Sequence, residues 1–356
     1  MAQPVSPVRV AVAGAGLIGR RHLSALAAQE RAEIAAVVDP APAAAELASQ
    51  YEVPLYRDLA ELLRQDRPDA VILAVPNQLH EQMTVTAIEA GLPVLLEKPA
   101  TDTVAAGERL TARADELGAR VLVGHHRTHS AVMRAAREVV DSGRLGDLVA
   151  VNGTALFYKP DDYFPAAPWR TQPGGGPVQI NIIHEVHNLR LLCGEITSVQ
   201  AVTSNRTRGF AVEDTAAILI TFESGVLGTF IISDTAASPR SWEQTVREDP
   251  AFDAHPDQDC YHLAGTFGSL SVPTMQLFTY QRPEDRSWWK PFSETTRVPV
   301  DRKDPLAAQL EHFIDVATGQ AEPLVTLRDG VRNVAVVEAV LTSAATGKPV
   351  PVPEQR

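Results

Sequence analysis

Val8-Arg9-Val10-Ala11-Val12-Ala13-Gly14-Ala15-Gly16-Leu17-Ile18-Gly19-Arg20-Arg21-His22 decides the fold. Its first six residues branch and alternate like a buried strand, and the residues from Leu17 onward read as helix. Between them stands G-x-G-x-x-G, the strand, tight turn and helix of a dinucleotide-binding fingerprint. Gly14 allows the turn, Gly16 lets the backbone approach a pyrophosphate, and Gly19 lets the helix pack close to the sheet. The first helical residues, Leu17 and Ile18, put the positive end of the helix toward phosphate charge. A second apolar run, Ile34 to Val38, ends at Asp39, twenty residues past Gly19. A carboxylate there accepts hydrogen bonds from the adenosine ribose hydroxyls. The following Pro40-Ala41-Pro42-Ala43 has no Lys or Arg to neutralise a 2′-phosphate, so NAD is favoured over NADP. Arg20 and Arg21 are the observation on the other side.

The rest of the chain suits a two-domain enzyme. It has 356 residues, more than one nucleotide domain needs, and average apolar content. A net charge of −12 argues against a nucleic-acid surface. No run is long and apolar enough to span a bilayer, and Met1 to Pro7 lacks the basic and apolar regions of a signal peptide, so a cytoplasmic protein is expected. Cys193 and Cys260 form no CxxC, which leaves no disulfide framework or thiolate metal site.

The first third alternates apolar runs (8–13, 34–38, 70–75, 93–96, 120–123) with helical patterns (43–49, 58–64, 80–90, 102–117), as a doubly wound parallel sheet requires. After Gly124 the texture changes. A helix over 131–141 is followed by β-rich runs at 148–158, 197–203, 216–222, 226–233 and 268–272, with a hairpin at Glu223-Ser224-Gly225. We expect a Rossmann domain over 1–124 and an α+β domain with a large, mostly antiparallel open sheet over 125–356. Two late amphipathic helices, 304–317 and 329–345, are expected to pack back on the first domain.

Four motifs stand in order: GAGLIGRRH at 14–22, Val75-Pro76-Asn77-Gln78-Leu79-His80, Glu97-Lys98-Pro99, and Gly174-Gly175-Gly176 followed by Ile183-His184-Glu185. In these the chain resembles the Gfo/Idh/MocA oxidoreductases over nearly its whole length. The resemblance implies NAD or NADP on a Rossmann domain, assembly through the face of the second sheet as a homodimer or homotetramer, no catalytic metal, and Lys98 with His184 as catalytic pair. We place Pro76, Asn77, His80, Glu97 and Lys98 with Gly14, Gly16, Leu17, Ile18, Gly19 and Asp39 around the cofactor.

The chemistry of the pair stands without the family. Hydride transfer from a secondary alcohol requires a base at the hydroxyl as the carbonyl forms. His184 titrates near neutrality and lies on a helix predicted over Val178 to Cys193, just after the glycine turn. Lys98 hydrogen-bonds the same oxygen and stabilises negative charge there; which of the two takes the proton is left open. Many relatives carry an aspartate four residues before this histidine, where this chain has Ile180, and another three residues after it, where this chain has His187. Asn181 is therefore expected as an orienting residue in place of a copied triad. His184 and His187 share a helix face, but a zinc site needs a third ligand, and a metal is not expected. Arg127 or His126, Tyr158, Trp169, Arg170, Asn181 and His187 are the expected substrate contacts, since rings and cationic donors suit a polyol. Together these predict an NAD-dependent dehydrogenase of a cyclic sugar, sugar derivative or cyclitol. Redox-assisted glycoside cleavage and nucleotide sensing without turnover are the alternatives.

Overall fold

A computed structural model describes residues 6–353. Most of the N-terminal stretch read for a signal peptide lies outside the described residues. The chain divides into two compact units, residues 1–128 with 305–334, and residues 129–304 with 335–356. This differs from a single cut after Gly124, because the chain returns to the first unit late.

In the first unit, strands and helices alternate: β1 (Val8–Ala13), α1 (Leu17–Ala27), β2 (Ala32–Val38), α2 (Ala44–Gln50), β3 (Leu55–Tyr56), α3 (Leu59–Gln65), β4 (Ala70–Leu73), α4 (His80–Glu89), β5 (Val94–Glu97), α5 (Val104–Leu117) and β6 (Val121–Gly124). The strands form a parallel sheet in the order β3-β2-β1-β4-β5-β6. β4, β5 and β6 are buried at every residue, which is why they read as continuous apolar runs. Asp58 and Thr103 cap α3 and α5 with their side chains, and Gly118 closes α5 in the left-handed conformation.

The second unit carries α6 (Ala131–Asp141), β7 (Leu148–Leu156), α7 (Pro177–Ile180), α8 (Ile182–Cys193), β8 (Ile196–Ser204), β9 (Thr215–Phe222), β10 (Leu227–Ser233), α9 (Trp242–Val246), β11 (Tyr261–Gly265), β12 (Gly268–Val272), β13 (Gln276–Thr279) and β14 (Glu294–Arg297). Then α10 (Pro305–Ala317) places Leu310, Phe313 and Ile314 in the core of the first unit. The division between units falls within α11 (Leu327–Thr346). β15 (Val350–Pro351) completes a nine-stranded sheet, ordered β14-β13-β12-β11-β7-β10-β9-β8-β15. Among the described residues only β7 with β10 is parallel among its pairs.

β9 alternates between its two faces, and β10 does so through Ile232. Ile218, Ile220, Phe222, Phe230 and Ile232 are buried, while Leu219, Leu227 and Ile231 face out with Val202 of β8. That outward face holds a shallow depression of about 550 Å³ lined by Asn152, Leu219, Leu227 and Thr229. Among the described residues no helix is long and apolar enough to cross a membrane.

Candidate active site

The phosphate turn is built by close contacts that only glycine permits. Gly14 has φ +100°, and a Cβ there would lie 2.2 Å from the Ala74 carbonyl oxygen. A Cβ on Gly19 would lie 1.9 Å from the Gly14 oxygen, whereas one on Gly16 meets nothing within 4 Å. The turn is thus tight behind and open in front. No side chain caps α1, and Leu17 is 84% exposed, so the first helical N–H groups face open space. Asp39 accepts from the Ala15 N–H and from the Ala41 N–H, each at 2.8 Å. One carboxylate oxygen braces the glycine turn and the other its own turn, and each keeps a lone pair for a ribose hydroxyl. Gly14, Gly16, Leu17, Ile18, Gly19 and Asp39 therefore fit a dinucleotide.

Pro76 and Asn77 follow β4 after Ala74 and Val75, Asn77 opening a short 3₁₀ turn. His80 and Glu97, expected beside the cofactor, are instead used inside the unit. His80 is fully buried, its Nδ1 2.7 Å from the Pro99 carbonyl and its Nε2 2.9 Å from that of Val75. Burial holds its pKa below the ordinary imidazole value although both carbonyls pull the other way. A neutral ring donates to one of them at a time. His80 thus ties the end of β4 to the turn after Lys98. Glu97, also buried, accepts from His22 Nε2 at 2.8 Å and from the Lys98 N–H at 3.2 Å. Burial pushes its carboxyl up, but the His22 hydrogen bond, with the charges of His22, Lys98 and His126, brings it below the usual range. A carboxylate that is ionised and clamped sets the backbone from which the half-buried Lys98 side chain leaves.

Sequence reading passed over His22, because one histidine in a helix gives no sign of a carboxylate 75 residues away. His125 meets Asn333 at 3.0 Å and is structural. Arg127 and His187 are buried, 3% and 6% exposed.

In the second unit the predicted helix over Val178 to Cys193 breaks at Asn181, with φ −109° and ψ −41°. Glu213 Oε1 accepts from the Val178 N–H at 2.9 Å and stabilises the start of α7. Gly176 makes room for that carboxylate: a Cβ there would sit 2.2 Å from it. Asn181 stands before α8 but does not cap it with its side chain. Its Oδ1 accepts instead from Lys159 Nζ at 2.9 Å. His184 lies three residues on, half-buried, its N–H donating to the Asn181 carbonyl at 3.2 Å. Lys159 Nζ also lies 3.6 Å from Asp234 Oδ2, and Arg208 Nε donates to Asp234 Oδ1 at 2.9 Å. Burial lowers Lys159 to about 8, against the opposing charge of Asp234.

Tyr158 and Trp169 are 51% and 56% exposed, and the Arg170 guanidinium stacks 3.7 Å from the Tyr163 ring centroid while donating to the Tyr163 carbonyl. Arg208, Asp234 and Glu213 are the residues sequence reading did not single out. They come from separate loops and strand ends, and only the sheet register brings them together. Cys193 and Cys260 are both buried, and burial pushes the Cys193 thiol up to about 12, so neither is a nucleophile. Among the described residues no group of three or more His, Cys, Asp or Glu is placed to hold a metal ion.

A Rossmann unit with an open glycine turn braced by a carboxylate, in one chain with a large, mostly antiparallel sheet and a helix-borne histidine, defines a nicotinamide-dependent oxidoreductase. The model of the oxidoreductase family with an NAD-binding Rossmann fold matches residues 8–125, and that of the GFO/IDH/MocA C-terminal domain matches 133–271. The chain belongs to the Gfo/Idh/MocA oxidoreductases. It is 28% identical over 291 residues to the 1,5-anhydro-D-fructose reductase of Ensifer adhaerens, covering 81% of each chain. It is 29% identical over 356 residues to inositol 2-dehydrogenase 2 of Saccharopolyspora erythraea, covering 97% of this chain and 95% of the other. The fold matches that of scyllo-inositol dehydrogenase from Lactobacillus casei, solved with NAD(H) and scyllo-inositol, at a TM-score of 0.78 and 19% identity, covering 98% of this chain and 99% of the other.

Proposed function

We propose that the chain is an NAD-dependent dehydrogenase that moves a hydride between nicotinamide and a secondary hydroxyl of a cyclic sugar, sugar derivative or cyclitol. The observation that carries this is the phosphate turn braced by Asp39 in a chain whose relatives act on anhydrofructose and inositol. Bound NAD supplies the hydride acceptor. Gly14, Gly16, Gly19 and the first turn of α1 hold its pyrophosphate, and Asp39 its ribose. Lys98 hydrogen-bonds the reacting oxygen and steadies the charge that develops on it. His184 takes the hydroxyl proton, and Asn181 contacts the substrate beside it. Tyr158, Trp169 and Arg170 supply ring faces and donors to the remaining hydroxyls, and Arg127 and His187 contact the substrate as well. Glu97 and His80 position the Lys98 turn. The outward face of the sheet, with Leu219 and Leu227, is where a second copy docks. Two buried cysteines outside any CxxC motif suit a cytoplasmic setting.

The test follows NADH absorbance with myo-inositol, scyllo-inositol, D-apiose and 1,5-anhydro-D-fructose, each in the direction its oxidation state allows. Turnover with one of these that falls by roughly two to four decades in Lys98→Ala, with NAD binding retained, is expected. Equal turnover in Lys98→Ala and wild type would overturn the reading.

A further inference from the structure

We propose that Lys159 is a positioning residue: it holds Oδ1 of Asn181, so that the carboxamide presents Nδ2, a donor, to an accepting oxygen of the substrate. This rests on the dehydrogenase reading, in which Asn181 contacts substrate.

An Asn just before a helix ordinarily accepts from the second or third helical N–H. Asn181 makes no such bond, and its oxygen faces Lys159 Nζ at 2.9 Å. An ammonium only donates, so the oxygen rather than the NH₂ must meet it, and the orientation of the amide follows from chemistry. Nδ2 then has no hydrogen-bond partner among the described residues, although Asn181 is half-buried. That leaves a donor open to a ligand oxygen. The group that gains is a hydroxyl lone pair, a ring oxygen or the carbonyl of a keto sugar.

Lys159 is itself held. Its N–H donates to the Asp234 carbonyl at 2.9 Å and its own carbonyl accepts from Arg208 at 2.8 Å. Its Nζ sits 5.6 Å from the Phe157 ring centroid and 5.1 Å from that of Tyr163. The charged and titratable groups facing it are Asp234, Arg208, Arg170, Glu213 and Tyr163. Asp234 stabilises the ammonium, while burial and the two arginines oppose it, which brings its titration to about pH 8. Burial pushes the Glu213 carboxyl and the Tyr163 phenol up. Once Lys159 loses its proton it carries a lone pair, and the amide is free to turn its NH₂ inward. Substrate affinity should therefore weaken as pH passes 8.

The experiment measures kcat and KM across this range for wild type, Lys159→Met, Lys159→Arg, Asn181→Ala, the double variant Lys159→Met/Asn181→Ala, and Lys98→Ala. The substrate is whichever of the four compounds above the wild type turns over fastest. Lys159→Met should raise KM about tenfold at neutral pH with a smaller change in kcat. Lys159→Arg, charged throughout, should flatten the alkaline rise in KM. The double variant should be no worse than Asn181→Ala alone, because both changes remove one device. Additive losses in the double variant, or an alkaline rise unchanged in Lys159→Arg, would overturn the proposal while an inactive Lys98→Ala leaves the dehydrogenase reading intact. Normal turnover in Lys98→Ala, or silence with all four compounds, removes that reading and this inference with it. If Lys159→Met does not fold, Lys159→Arg decides.

Discussion

Asp39 and Glu97 are both carboxylates at the ends of strands in one sheet, and their surroundings give them opposite tasks. Asp39 is half-buried and braces the glycine turn from outside, keeping lone pairs for a ligand. Asp39→Ala should therefore raise the dissociation constant for NAD by about tenfold and that for NADP by less, read by NADH and NADPH fluorescence titration. Equal losses would remove Asp39 from the ribose. Glu97 is closed in by His22 and the Lys98 N–H. His22→Ala leaves that carboxylate buried without its main partner, at a cost of roughly 3 kcal/mol, seen as a lower urea midpoint. The same change should lower turnover, since Lys98 leaves the chain at the next residue. An unchanged midpoint would show that solvent or a neighbour replaces the histidine.

Two elements carry particular weight. α1 packs so closely behind the turn that a Cβ on Gly19 would fall 1.9 Å from the Gly14 oxygen. Gly19→Ala must push the helix off the sheet, so we expect a loss of 1–3 kcal/mol or more together with lost NAD affinity. Near wild-type affinity would show that the turn relaxes without moving the helix. The outward faces of β8, β9 and β10 expose Val202, Leu219, Leu227 and Ile231 in one register, since Leu219 pairs with Thr229 and Ala217 with Ile231. Leu219→Lys should lower the assembly state measured by light scattering while leaving NAD binding in place. A mass unchanged by the substitution would remove this face as a contact between copies.

For the molecule as a whole, three buried groups contribute to the pH dependence of folding in separate windows. His80 is held below its free value of 6.5, so the unfolded chain takes up a proton first as pH falls through that value. Its contribution is complete above pH 6.5 and is lost below it. Glu97 is held below 4.5, so its contribution is complete above pH 4.5 and is lost as pH falls further, through its folded value. Lys159 acts in the alkaline window: folded it releases its proton at about 8, while an unfolded lysine keeps it to 10.5. The unfolded chain holds more protons there, and stability from this group rises with pH between those values. Urea unfolding against pH should show an acid decline in wild type, and the alkaline rise should be smaller in Lys159→Met. An identical alkaline limb in that variant would mean Lys159 titrates normally.

The Rossmann half was legible because its signals are local. GAGLIG sits between a strand and a helix, Asp39 closes the next apolar run, and strands buried on both faces read as unbroken Val, Ile and Leu. β11, β13 and β14 were not read as strands, being short and mixed in character, and the break at Asn181 was hidden within an apolar helical pattern. Lys98, His184 and Asn181 stood out because motifs or adjacent spacing mark them. His22 against Glu97, Lys159 against Asn181 and Asp234, and Glu213 beneath Gly176 join residues 75, 22, 75 and 37 positions apart. Sequence patterns carry backbone periodicity and turn chemistry, which act over a few residues. The pairing of buried charges depends on strand register and helix packing, and those exist only once the chain has folded.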